Sequence, residues 1–125
     1  MTRFMTLAAA LTLTTTAVFA DGHSGAMVKT SDAGYLIDGH EMTLYTFDKD
    51  TDGDSKCYGQ CAKAWPPLLL EEGAKLGDGF ATVARKNGAQ QVTYNDQPLY
   101  LWVRDKKPGD VTGDGVQGVW HIARP

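Results

Sequence analysis

The chain repeats itself. At a single offset, the step from 44 to 99, Leu44-Tyr45 falls on Leu99-Tyr100, Phe47 on Trp102, Asp50 on Asp105 and Trp65 on Trp120. The same offset carries Val28 to Val83 and Asp32 to Asn87. So many aromatic residues at one spacing restrict the chain to folds built from two copies of one unit, each covering the other's apolar face. The turn pairs Asp38-Gly39 and Asn95-Asp96 stand two positions further apart than that offset, so a two-residue slip is expected between the copies. Copy one spans about 26–70 and copy two about 81–125, with Glu71–Gly79 as the linker.

Each copy reads as short strands and turns. Met27–Thr30, Tyr35–Ile37 and Thr43–Phe47 are the strands of copy one. Thr82–Arg85, Gln91–Tyr94 and Leu99–Val103 are those of copy two. Asp32-Ala33-Gly34 and Asn87-Gly88 supply the first turn of each copy, and Asp38-Gly39 and Asn95-Asp96 the second, because Gly, Asn and Asp tolerate the positive φ of tight hairpins. In Tyr45-Thr46-Phe47 the alternation sets both rings on one face. A short helix fits only Tyr58–Ala64. A lone three-stranded unit of this size is marginal. The expected fold is therefore mainly β, two tandem pseudo-equivalent antiparallel repeats sharing one core, with one short helix near the cysteine pair.

Residues 1–20 read as a secretory signal: Arg3 near the start, an apolar run Phe4–Leu13, and Ala-Val-Phe-Ala ending at Ala20. The run is too short and too Thr-rich for a comfortable apolar span of about 20 residues. Cleavage after Ala20 gives a single β-repeat domain, 21–125, soluble in the periplasm or the medium, with no transmembrane segment and no thiol at its new N-terminus for a lipid. Removing Arg3 leaves 11 basic against 15 acidic residues, a statement about solubility. No basic patch with interleaved aromatics is present, which argues against nucleic acid as a partner.

The motif Tyr45-x-Phe47-x-x-Asp50 recurs as Tyr100-x-Trp102-x-x-Asp105. With Cys57-x-x-x-Cys61-Ala62, Trp65-Pro66-Pro67 and Gln91-Val92-Thr93-Tyr94-Asn95 ahead of Pro98-Leu99-Tyr100, it resembles a bacterial secreted-repeat family described as predicted lipoproteins with a Y-x-[FWY]-x-x-D motif. The resemblance covers the whole exported chain and implies no assigned activity. The chain departs from the lipoprotein description in lacking a lipobox cysteine. Physically, the aromatic pairs bury large apolar area. Asp50 and Asp105, just past the strands, are placed to accept backbone N–H bonds from the following loops. Trp65 and Trp120 are expected to close each half.

Cys57 and Cys61 are the only cysteines of an exported chain, and oxidising compartments favour a disulfide. A loop this small contributes about 2 kcal/mol by chain entropy. Copy two has Thr112 and Val116 in their places, so the repeat does not need the bridge to fold. The alternative is a copper role: two thiolates suit Cu(I), with His40 or His121 as a third ligand and Met27 or Met42 in support. At the new N-terminus, Asp21-Gly22-His23 offers an α-amine, two amides and the His23 imidazole, a set that wraps Cu(II) or Ni(II), against the reading of a frayed tail. Asp48, Asp50, Asp52 and Gly53 open like a calcium loop, but Gly59 stands where its bidentate Glu belongs and a strand precedes it, so the rival reading is a solvated Asp-Gly turn.

No G-x-S-x-G elbow and no H-E-x-x-H occurs. The expectation is a non-enzymatic protein of the cell envelope that binds or supports an unidentified partner or ligand, without a cofactor. The alternative is a periplasmic metal-handling protein, copper ahead of calcium.

Overall fold

The computed structural model describes residues 26–125. The expected signal segment, residues 1–20, and His23 lie outside the described residues. The order of elements is β1 (Val28–Thr30), β2 (Leu36–Asp38), β3 (Tyr45–Phe47), α1 (Gln60–Ala64), β4 (Phe80–Ala84), β5 (Gln90–Tyr94), β6 (Gln97–Pro98) and β7 (Trp120–Ile122), with a 3-10 turn at Val116–Gly118. All strand pairs are antiparallel: β1 with β2, β3 with β7, and β4–β5–β6 in one small sheet. The fold is mainly β with two tandem repeats and one short helix, as the sequence implied.

The opening hairpins of the copies are built alike. Tyr35 C=O accepts from Ser31 N–H and Ala89 C=O from Arg85 N–H, each closing a turn that ends on Gly34 (φ 89°) or Gly88 (φ 84°). Only glycine takes that backbone region without a Cβ penalty. The second hairpins differ. Asn95 (φ 47°) and Asp96 (φ 65°) form a two-residue turn between β5 and β6, whereas copy one has a wider loop in which Asp38 Oδ1 accepts from His40 N–H and Met42 N–H. The register between the copies slips twice. The hairpin bonds set the offset at 54 at the opening turns (85 − 31); Leu44 N–H donates to Leu36 C=O and Leu99 N–H to Val92 C=O, so it is 56 at the next strand (92 − 36) and, past the extra loop residue, 55 (99 − 44).

The repeats interlock through their last strands. Tyr45 pairs with Ile122 in β3–β7, and its counterpart Tyr100 pairs with Pro67, the counterpart of Ile122. Ala123 N–H donates to Leu44 C=O (2.8 Å), and at the equivalent position of copy one Leu68 N–H donates to Leu99 C=O (2.9 Å). Each copy therefore supplies the closing strand of the other. The expected strand Leu99–Val103 is not continuous, and its partner explains why. Pro66 and Pro67 have no N–H to donate, so the ladder there runs one way, from Leu101 N–H to Pro66 C=O and from Val103 N–H to Ala64 C=O. The strand Trp120–Ile122 was not expected, because so short a segment shows no period.

The single shared core expected from the sequence is two clusters, each drawing on both copies. One holds Val28, Leu36, Leu44, Leu68, Val92, Leu99 and Ala123; the other holds Tyr45, Cys57, Trp65, Tyr100 and Trp120. Strand alternation makes the division: Leu44 and Leu99 project from one side of the central pair, and the next residues, Tyr45 and Tyr100, from the other. The linker is tied down by Met27 N–H, which donates to Lys75 C=O, by Asn95 N–H, which donates to Gly79 C=O, and by Leu76, which packs against the aliphatic cluster.

Gly113 is buried against the aromatic cluster. A Cβ there would stand 2.7 Å from the Trp65 ring and 3.0 Å from that of Tyr45. Gly113→Ala is expected to cost about 1–3 kcal/mol by overpacking. Gly39→Ala, where a Cβ meets nothing within 4 Å, is expected to change stability by less than about 0.5 kcal/mol. Urea unfolding of the two variants checks the difference.

Candidate functional site

The motif residues meet where the repeats cross. Tyr45 N–H donates to Tyr100 C=O and Tyr100 N–H to Tyr45 C=O, both at 2.9 Å, so the pseudo-twofold axis runs between these residues. Each phenol then reaches the aspartate of the opposite copy. Tyr45 Oη donates to Asp105 Oδ2 at 2.6 Å, and Tyr100 Oη to Asp50 Oδ2 at 2.7 Å. The second oxygen of each carboxylate orders the loop that follows it. Asp50 Oδ1 accepts from Lys56 N–H, and Asp105 Oδ1 from Thr112 N–H and Thr112 Oγ1. One short motif thus supplies a strand, an interface and a loop anchor.

The second partner of each phenol oxygen differs between the copies. Tyr45 Oη accepts from Gly113 N–H. Tyr100 Oη lies 2.6 Å from Ser55 Oγ, and because its single hydrogen goes to Asp50, Ser55 is the donor. Arg85, only 7% exposed, donates through Nη1 to Ser55 Oγ and Gln91 Oε1, and through Nη2 to Cys57 C=O. A directional chain therefore runs from Arg85 through Ser55 and Tyr100 to Asp50. Sequence reading missed Arg85, Ser55 and Gln91, since each is an ordinary polar residue until the fold buries it.

Burial sets the electrostatics. Both phenols are pushed well above the ordinary tyrosine value, first by desolvation and then by the carboxylate each faces. Burial also raises the Asp50 carboxyl, against the downward pull of hydrogen bonds from Tyr100 and Lys56 N–H and of the Arg85 charge.

Beside this crossing stands a column of four rings. Trp102 stacks on Trp65 (centroids 3.9 Å), Trp65 on Trp120 (3.8 Å, planes within 3°) and Trp120 on Phe47 (4.2 Å). Tyr45 meets Trp65 edge-on at 5.4 Å and Tyr100 meets Trp120 edge-on at 5.1 Å. Trp65 and Trp120 were expected to close each half; instead they lie face to face and join the halves, Trp120 from β7 and Trp65 from the end of α1, just before the segment that pairs with Tyr100.

The side chains that the sequence offered as metal ligands are not assembled into sites. Cys57 and Cys61 form a disulfide with Cα atoms 5.2 Å apart, Cys57 ahead of the helix and Cys61 in its first turn. Their sulfurs are joined to each other, so the thiolate pair of the copper reading is not in place. Asp48, Asp50 and Asp52 do not converge. Asp48 Oδ2 pairs with His121 Nε2 at 2.8 Å, Asp50 turns inward to Tyr100, and exposed Asp52 holds a turn with φ 56°. Among the described residues no group of three His, Cys, Asp or Glu side chains is arranged to hold a metal ion. Met27 packs against the aliphatic cluster, and His40 lies exposed in the loop after β2. An open depression of about 380 Å³ lies between the first hairpin and Pro108-Gly109, away from the motif residues.

A family model described as a secreted repeat of unknown function matches residues 26–69 and 81–124, one match per copy. No curated protein and no solved structure matches the chain.

The crossing is open to test in two ways. Tyr45→Phe and Tyr100→Phe each remove the donor to a carboxylate oxygen, of buried Asp105 and of half-buried Asp50, and are expected to cost about 1–3 kcal/mol in chemical unfolding. The phenols also tie stability to alkaline pH. Their folded pKa values are raised, so their contribution is complete below the unfolded tyrosine value of about 10 and is lost as pH rises through the folded values. In an alkaline titration, the tyrosinate absorbance of two of the five tyrosines should therefore appear together with loss of the near-ultraviolet circular dichroism, not before it.

Proposed function

As this chain belongs to the family of secreted repeats of unknown function, we propose that it works outside the cytoplasm as a non-enzymatic envelope protein, binding or supporting a partner. The observation that carries this reading is the employment of the motif. Tyr45, Tyr100, Asp50 and Asp105 are committed to one another across the repeats, and both oxygens of each carboxylate are engaged. Residues so held serve the framework and offer no free position to a substrate's proton, as a general acid or base must.

Export by residues 1–20 and release into the periplasm or medium complete the proposal. Among the described residues no helix is long and apolar enough to cross a membrane. The disulfide suits an oxidising compartment. The surface left for a partner includes the exposed Leu69 and Leu70 of copy one and Val103 and Val111 of copy two.

Mass spectrometry on protein taken from the envelope of its own host tests the proposal. The denatured mass is expected to begin at Asp21 and to be lighter by two hydrogens than the reduced chain. The native spectrum is expected to hold no metal, and in-cell cross-linking to join the chain to an envelope component. A chain carrying stoichiometric copper would replace this reading with metal handling, and saturable turnover of a substrate by the pure protein would overturn it.

A further inference from the structure

The column Trp102–Trp65–Trp120–Phe47 is more than apolar filling in its chemistry. Three of its rings are indoles, which give up one electron readily, and they stand in continuous face contact. Its flanks carry two phenols, each in edge contact with an indole and each hydrogen-bonded to a carboxylate. A phenol in that setting can lose an electron and pass its proton to the carboxylate together, leaving a neutral radical with no charge buried on the ring. The two ends of the column differ. Phe47 resists oxidation, whereas Trp102 is partly exposed, with the Arg104 guanidinium 5.8 Å from its ring. Trp102 Nε1 is buried and lacks a hydrogen-bond partner among the described residues. An indole radical cation there has no base to take its proton, so the hole is not trapped where it enters.

We propose that the protein is a one-electron relay that accepts an oxidising equivalent at Trp102 and brings it to rest on Tyr45 or Tyr100. The oxidant is of the anionic oxygen-radical class, such as the carbonate radical, drawn by the exposed Arg104 cation near the Trp102 ring. It takes one electron from the Trp102 indole and is itself reduced by one electron. Trp65 and then Trp120 pass the vacancy along the stack. At Tyr45 the phenol gives one electron to oxidised Trp65, its O–H bond breaks, and the proton forms a carboxyl O–H at Asp105 Oδ2. At Tyr100 the same exchange runs through Trp120 and Asp50 Oδ2. The products are a restored indole, a phenoxyl radical and a neutral carboxyl group. A quinol-class reductant resets the site by returning one electron to the phenoxyl, which recovers its proton from the carboxyl. The raised proton affinity of Asp50 favours the acceptor role on the Tyr100 side. The relay does not rest on the binding role proposed above.

The test is flash oxidation of the full exported chain, disulfide intact, by a photoexcited ruthenium polypyridyl complex with persulfate as electron acceptor. Transient absorbance and electron paramagnetic resonance read the radicals. The deciding variant leaves the column untouched: Tyr35→Phe/Tyr58→Phe/Tyr94→Phe keeps only Tyr45 and Tyr100. It is expected to hold the wild-type yield of tyrosyl radical, and loss of that signal would overturn the proposal. Trp102→Phe keeps a ring in the stack but removes the entry indole. In folded protein it is expected to lose the signal, and an unchanged yield would equally overturn the relay. Ring-deuterated tyrosine in the wild-type chain identifies the radical without any substitution: its spectrum should narrow, and an unaltered spectrum would place the hole on tryptophan and refute a tyrosine terminus.

Discussion

The exchange of tyrosine hydroxyls between the repeats is the constraint on which the rest of the molecule depends. Tyr45 belongs to copy one and its acceptor Asp105 to copy two; Tyr100 and Asp50 reverse the arrangement. Neither copy can satisfy its own motif. Pulled apart, each half would leave a phenol and a carboxylate without partners, break the pairing between Tyr45 and Tyr100, and open the face between Trp65 and Trp120. An unmatched buried polar group costs about 1–3 kcal/mol, so these losses fall together and favour a single unit over two loosely joined ones. The crossing also fixes the loops, because the carboxylate oxygens left over from the tyrosines hold the segments after Asp50 and Asp105.

Much of this was legible in the sequence, and the limits have physical causes. The repeat, the hairpin turns and the aromatic spacing show at short range because they are set by local backbone preferences and by volume. The disulfide follows from the pair of cysteines, given a family described as secreted. The exchange of partners between copies is invisible, because a tyrosine and an aspartate close together in one short motif suggest a contact within the motif. The structure sends each to the other copy. Buried Arg85 could not be singled out, as nothing beside Val83-Ala84 marks an arginine as enclosed. The broken strand after Leu99 was hidden for a similar reason: its cause is the pair Pro66-Pro67 in the other copy. The acidic run Asp48–Asp54 misled in the opposite direction, offering a ligand-like spacing whose carboxylates point to three different places.

The two copies share a scaffold but not its details, and the differences cluster around the same two phenols. Tyr45 takes its second hydrogen bond from the backbone of Gly113, and Tyr100 takes its own from Ser55, which Arg85 orders in turn. The backbone route brings Gly113 so close to Trp65 and Tyr45 that a side chain is excluded. The side-chain route requires a buried guanidinium, which the structure satisfies with Ser55, Gln91 and the carbonyl of Cys57. The disulfide lies on this second route, since Cys57 presents its carbonyl to Arg85 while its sulfur bonds to Cys61.

Fusion of the repeats into one chain makes such asymmetry possible. In a symmetric dimer of single repeats, any residue recruited to the axis appears twice. By the hairpin bonds, the counterpart of Arg85 is Ser31, whose side chain merely accepts from Tyr35 N–H at the turn. A dimer would bury two guanidinium groups where this chain buries one, and each buried ion carries a desolvation penalty of several kcal/mol unless its hydrogen bonds are met. The tandem chain places the cation once, beside Asp50, and leaves Asp105 to the neutral donors Tyr45 and Thr112. Two identical tyrosine–aspartate pairs thereby acquire unequal surroundings, one linked to a buried charge and a disulfide and the other to backbone N–H groups and the Thr112 hydroxyl. The duplication supplies the symmetry that holds the fold, and the covalent link supplies the freedom to break it at the axis.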